Sequence, residues 1–130
     1  MKRSSADILF SKLIRKRAGY RCERCGKQYL SNDTGLHCSH HHTRSRRRSR
    51  YTPLNAAALC YACHLWFGGN PLEASAWLRS HLSTADLEDL AAMQRETIHT
   101  DKHFVKNVTA VLKEHGLVDP IPILRERGLL

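Results

Sequence analysis

Two pairs of cysteines constrain this chain more than any other feature. Cys22 and Cys25 form one C-x-x-C knuckle, Cys60 and Cys63 form another, and 34 residues separate them. A two-residue gap lets both thiolates of a knuckle turn onto one tetrahedral ion, and two knuckles complete a four-cysteine site. Such a site has no open position for water, so the expected Zn2+ is structural, and its binding is coupled to folding. The competing readings are a redox dithiol or buried free thiols, and the βαβ context of a thioredoxin-like motif is missing. A fifth cysteine, Cys38, stands alone. It reads as a small buried strand residue rather than as a substitute ligand.

The 130 residues, 42% of them apolar, suffice for one domain or for a compact core with a helical extension. No apolar run approaches a membrane span, and no long apolar segment follows the basic start Lys2-Arg3. The expectation is therefore no membrane association and a cytoplasmic location. Net charge is +9, unevenly spread. Residues 1–83 hold 15 Lys and Arg against 4 Asp and Glu, whereas residues 84–130 hold 6 against 8. The basic part favours a polyanionic partner. The division suggests a module over 1–83 and a helical extension over 84–130 that packs on it or forms a homodimer interface.

Helical spacing of Ile8, Leu9, Leu13 and Ile14 predicts a helix over 5–18, ended by Gly19. Residues 31–35 read as a turn, 36–42 as a short strand and 43–52 as a charged loop, with Pro53 barring regular structure. A short helix is expected from about Tyr61 to Gly68-Gly69. Asn70, Pro71 and Glu73 mark the start of another, running to about His81. Ser83 or Thr84 opens a third. A fourth spans about 101–115, with Phe104, Val108, Val111 and Leu112 on one face and Gly116 as its cap. The tail, 117–130, contains two prolines and could dock on the body or on a partner.

Five of the nine histidines, His37, His40, His41, His42 and His64, lie within or beside the knuckles. In a strand, His40 and His42 would point one way and His41 the other. The stretch Leu36-His37-Cys38-Ser39-His40-His41-His42-Thr43-Arg44-Ser45 resembles the first strand of an HNH nuclease. Asn55-Ala56-Ala57-Ala58-Leu59-Cys60-Tyr61-Ala62-Cys63-His64 resembles its second half, with an Asn five residues before the knuckle and a His directly after it. The resemblance covers about residues 10–82. His-Cys-Ser-His, the Arg-rich loop and Gly-Gly-Asn-Pro-Leu-Glu are similar to the phage NinG/Rap recombination endonucleases.

That resemblance implies an α+β fold: a small ββα-metal (HNH) module with a four-cysteine zinc ribbon, an N-terminal helix and the C-terminal helical extension. It implies a metal-dependent DNA endonuclease that hydrolyses phosphodiester bonds, on branched or recombining phage or prophage DNA. His40 would be the general base that activates water. Asn55 would hold the loop and the base in orientation, and His64 would bind a catalytic divalent metal (Mg2+, Mn2+ or Zn2+). The family often places Asp or His before the base, where this chain has Ser39. The missing ligand is then His41, His42 or a water, or the register shifts and His41 becomes the base with His40 the ligand. The loss of that ligand leaves a second class open, a non-catalytic zinc-ribbon DNA-binding accessory to recombination. A third, an RNA-binding ribosome-associated ribbon, leaves the His40, Asn55 and His64 spacing unexplained.

Arg44, Arg46, Arg47, Arg48 and Arg50 place five guanidinium groups within seven residues. Their mutual repulsion predicts a solvated loop that binds DNA phosphates, with weak sequence preference and strong salt dependence. A plain solvated or localisation-like basic run is the alternative. Trp66, Phe67 and Trp77 could stack on bases, but closing a small core against the zinc site is the simpler role.

Overall fold

The computed structural model describes residues 2–130. Helix α1 spans Ser5–Arg17 and begins in a capping box, in which Ser4 Oγ accepts the Asp7 N–H and the Asp7 carboxylate accepts the Ser4 N–H at 2.6 Å. Its fully buried residues Ala6, Phe10 and Ile14 recur at helical spacing and set which face turns inward. Gly19 and Tyr20, at φ 63° and 58°, turn the chain out of the helix into the first knuckle.

Strand β1, Leu36–His40, pairs antiparallel with β2, Ala56–Cys60, with Leu36 opposite Cys60 and His40 opposite Ala56. The sequence pattern extends the strand to residue 42, but pairing ends at His40. The His41 N–H still reaches the Asn55 carbonyl at 2.8 Å, and the Asn55 side chain then takes the His42 N–H at 2.9 Å, bending the chain away. Pro53 is not excluded from regular structure either. It opens a single 3₁₀ turn, Pro53–Asn55, at a position where its missing N–H would have had no partner.

Strand β2 is buried along its whole length, and Ala56, Ala57 and Ala58 let neighbouring layers approach it closely. Its second edge is covered by the first knuckle. The Glu23 N–H donates to the Ala58 carbonyl at 2.8 Å, and the Glu23 carboxylate accepts the Ala58 N–H at 2.5 Å.

Helix α2, Tyr61–Gly69, grows directly out of the second knuckle. Helix α3, Pro71–His81, starts with Pro71 in its first turn as expected, but the Asn70 side chain does not cap it. Asn70 Nδ2 donates instead to the Trp66 carbonyl at 3.0 Å, closing the end of α2. Helix α4, Thr84–Gln94, is capped by Ser83, whose Oγ accepts the Asp86 N–H at 3.1 Å. Helix α5, Phe104–His115, begins three residues later than the sequence suggests, because Asp101 Oδ1 takes the His103 N–H and holds a turn there. The tail forms α6, Pro120–Glu126, capped by Asp119, and it docks on the body through buried Ile121 and Leu124.

One core joins both halves of the chain: Phe10, Ile14 and Leu59 cluster with Phe104, Val108, Val111, Leu112 and Leu124. Helix α1 therefore packs against both the hairpin and α5. The fold is α+β, a two-stranded sheet surrounded by helices. Among the described residues no helix is long and apolar enough to cross a membrane.

Candidate functional site

The knuckles bring Cys22, Cys25, Cys60 and Cys63 together, with all four Sγ atoms within 4.8 Å of one another and those of Cys25 and Cys60 3.8 Å apart. Sulfurs at about 2.3 Å from a tetrahedral zinc ion stand about 3.8 Å apart, so the donor set fits that metal. In each knuckle the second cysteine's N–H points at the first cysteine's sulfur, at 3.5 Å for Cys22 and 3.4 Å for Cys60. Burial pushes the Cys22 thiol up, but the N–H groups of Cys25, Cys60 and Arg24 outweigh it and bring it down to about 7. Arg24 adds a full positive charge, donating to Cys63 Sγ at 3.4 Å while lying 3.5 Å over the Trp66 ring. Cys38 lies outside the cluster, in β1, where burial pushes its thiol up to about 12.

A cleft of about 570 Å³ opens between α1 and the hairpin. One wall is the row Arg3, Asp7, Ser11 and Arg15, four residues apart along α1 and its lead-in; the other is Leu36, Cys38 and His40, alternating along β1. Thr34, His37, Arg44 and His64 complete it. His64 Nδ1 faces His37 Nδ1 at 3.0 Å, with the rings nearly perpendicular at 79°. Burial, reinforced by His37, holds the His64 imidazole below its ordinary pKa and so in its neutral, ligating form. The 3.0 Å separation is a hydrogen bond between the two imidazoles, one Nδ1 donating and the other accepting.

His40 Nε2 lies 2.9 Å from the Arg50 carbonyl oxygen. A carbonyl only accepts, so Nε2 carries the proton and Nδ1 keeps the lone pair. Burial holds this imidazole below its ordinary pKa, against the opposing pull of the Arg50 carbonyl and the Asp7 charge. The loop that supplies the carbonyl is fixed by Asn55, which is fully buried. Its Oδ1 accepts the His42 N–H, and its Nδ2 donates to the carbonyls of His42 at 3.1 Å and Ser49 at 3.2 Å.

The structure thus brings His40 and His64 to one cleft and places Asn55 behind it. His41 does not line that cleft. Its ring packs 5.8 Å from that of Phe67, neither ring nitrogen has a partner, and burial pushes its pKa down to about 3. His37 was not singled out by the sequence pattern, although it is two positions before Ser39 and so on the same strand face. Asp7, Arg3 and Arg15 carry no motif at all, and only the packing of α1 across the hairpin puts them there.

The arginine run is not the uniformly solvated loop that repulsion predicts. Arg48 is 9% exposed and pairs bidentately with Asp119 at 3.1 and 2.9 Å, and with Glu96 at 2.6 Å. Arg50 pairs with Asp7 at 3.0 and 2.5 Å. Both are internal struts, because nearby carboxylates cancel the charge that solvent or phosphate would otherwise screen. Arg44 sits 3.6 Å from Asp7, Arg47 donates to Thr100 Oγ1 at 2.8 Å, and Arg46 is exposed. Phe67 and Trp77 pack edge-to-face on each other and lie against the core, and Arg24 stacks over Trp66 beside the knuckle.

Compared with models of known families, with characterised proteins and with solved structures, the chain matches none.

Proposed function

We propose that this chain is a metal-dependent DNA endonuclease of the HNH type, working in the α1–β1 cleft and held in shape by Zn2+ on the four cysteines. The observation that carries this reading is that His40 and the His37–His64 pair all line one cleft together with Arg3, Arg15 and Arg44. The sequence resemblance supports it, since His40, Asn55 and His64 stand at the HNH positions. His37, two places along the same strand face, supplies the ligand that Ser39 cannot.

Each residue then has a defined task. His40 Nδ1 takes the proton from the attacking water, while the Arg50 carbonyl fixes its tautomer and aim. Asn55 keeps the loop, and through it that carbonyl, in place. His37 and His64 hold the divalent ion, which when bound stabilises charge developing on the phosphate. Phage or prophage DNA with branched or recombining structure is the proposed substrate, on the strength of the NinG/Rap resemblance.

Incubation of supercoiled and branched DNA with Mg2+ or Mn2+, and again with divalent metal left out, tests the reading. Wild type is expected to nick only with metal, and His40→Ala to lose about 10²–10⁴-fold in rate while keeping fold and DNA affinity. Normal cleavage by folded His40→Ala with a dead His41→Ala would move the base to His41. The absence of an acidic ligand beside the base, with Ser39 Oγ buried and unpartnered, favours a second reading, a non-catalytic zinc-ribbon accessory. That protein would bind DNA with strong salt dependence and never nick it.

A further inference from the structure

The cleft that holds His37, His40 and His64 is walled on its far side by an element that carries no nuclease motif. Along α1 and its lead-in, Arg3, Asp7, Ser11 and Arg15 form one row, with arginine at both ends. Asp7, the only acid of the row, is 4% exposed and already saturated by Arg50, Ser4 and Arg44. Its charge is balanced by the guanidinium groups of Arg50 and Arg44, and Arg3 and Arg15 remain as the cations of the row. Arg15 Nε makes one bond, to the Ser11 carbonyl at 3.3 Å, which leaves the fork of the side chain open. Arg17, Arg15 and Arg3 act on the Cys38 thiol at the cleft floor, against its burial and the opposing charge of Asp7. From Ser5 to Arg15 the helix covers roughly 15 Å, several nucleotide steps of a strand. The loop arginines, by contrast, are depleted by the internal pairing of Arg48 and Arg50.

We propose that Arg3 and Arg15 of the α1 row are the phosphate track that seats the DNA backbone over the histidines. This rests on the nuclease reading for its substrate but concerns binding, which is measured separately from cutting. The contacts are to phosphate, so they position the strand without reading its sequence.

Fluorescence anisotropy of a labelled duplex, with zinc-loaded protein and no Mg2+ or Mn2+, is read across a salt series. Arg3→Gln/Arg15→Gln is expected to weaken binding about tenfold or more near 0.1 M salt and to lower the salt slope by about two. Arg3→Lys/Arg15→Lys keeps both charges and is expected to retain the wild-type slope. Arg79→Gln/Arg95→Gln, the same charge change on α3 and at the end of α4, is expected to leave the slope unaltered. Wild-type affinity and slope in the Arg3→Gln/Arg15→Gln protein would overturn the proposal, as would a loss no larger than that of the Arg79→Gln/Arg95→Gln control. So would equal losses in the Gln and Lys proteins, or failure of wild type to bind DNA. Salt-sensitive binding through these arginines without any cutting would instead overturn the nuclease reading and leave the track standing.

Discussion

Asn55 has no exposed surface, and its amide reaches both ends of the loop that carries the arginines. Truncation would take the partner of the His42 N–H and one of the two donors to the Ser49 carbonyl, which keeps only the Thr52 N–H at 3.1 Å. Asn55→Ala is therefore expected to lose about 3 kcal/mol in urea unfolding, well beyond an ordinary surface change. His41 carries a second expectation. Its folded pKa, about 3, lies below the unfolded value of about 6.5. Between those values the unfolded chain binds the extra proton, so stability is full above about pH 6.5 and falls as pH drops through that window. His40 acts in the same direction. Denaturant melts from pH 7 to 4 should show a shallower fall for His41→Phe than for wild type. The cysteine thiols titrate in both proteins, so the difference isolates His41. At this scale the family resemblance pointed to His40, Asn55 and His64, of which His40 and His64 line one cleft. It passed over His37, which lies on the strand face of Ser39 rather than at the position next to His40. It also offered no way to see that Arg48 and Arg50 turn inward, since Asp119 and Asp7 are far away in sequence.

The elements that carried caps and periodic apolar residues were legible: α1, α2, α4 and most of α5 follow from Asp7, Ser83 and the stripe through Val108 and Leu112. Helix α6 was not. Two prolines argue against a helix in general, yet Pro120 and Pro122 occupy its first turn, where N–H groups have no intrahelical partner. What fixes α6 on the body is tertiary: Ile121 and Leu124 enter the core, and Asp119 at its start receives Arg48. Arg48 thus ties the β1–β2 loop to α6 and, through Glu96, to the segment after α4. Because Asp119 and Glu96 remain 23% and 33% exposed, breaking this strut costs less than a fully buried pair. Arg48→Met is expected to lose about 2 kcal/mol, while exposed Arg46→Met stays within about 0.5 kcal/mol, both read by urea unfolding.

Across the whole molecule, the cysteine spacing foretold the four-cysteine cluster because coordination chemistry is local in kind even when its residues are distant. The cleft was not foretold, because it needs α1 laid across the hairpin, and that follows from Phe10 and Ile14 meeting Leu59, Val108 and Leu112. The same core links 84–130 to the knuckles. Removing zinc should therefore loosen the hairpin and the α1 packing together, with loss of near-ultraviolet ellipticity on chelation and recovery on adding Zn2+ back. Cys25→Ser is expected to bind zinc far more weakly. The division of labour between that structural ion and the cleft is tested most directly by single-turnover cleavage of plasmid DNA over a range of Mn2+ concentrations, with zinc-loaded wild type, His37→Ala and His40→Ala. The expected result is metal-dependent cutting by wild type, a large rise in the Mn2+ needed by His37→Ala, and an inactive His40→Ala whose Mn2+ binding is intact. Cutting by His40→Ala at the wild-type rate, or no cutting by wild type at any Mn2+ concentration, would contradict the assignment of this cleft as a hydrolytic site.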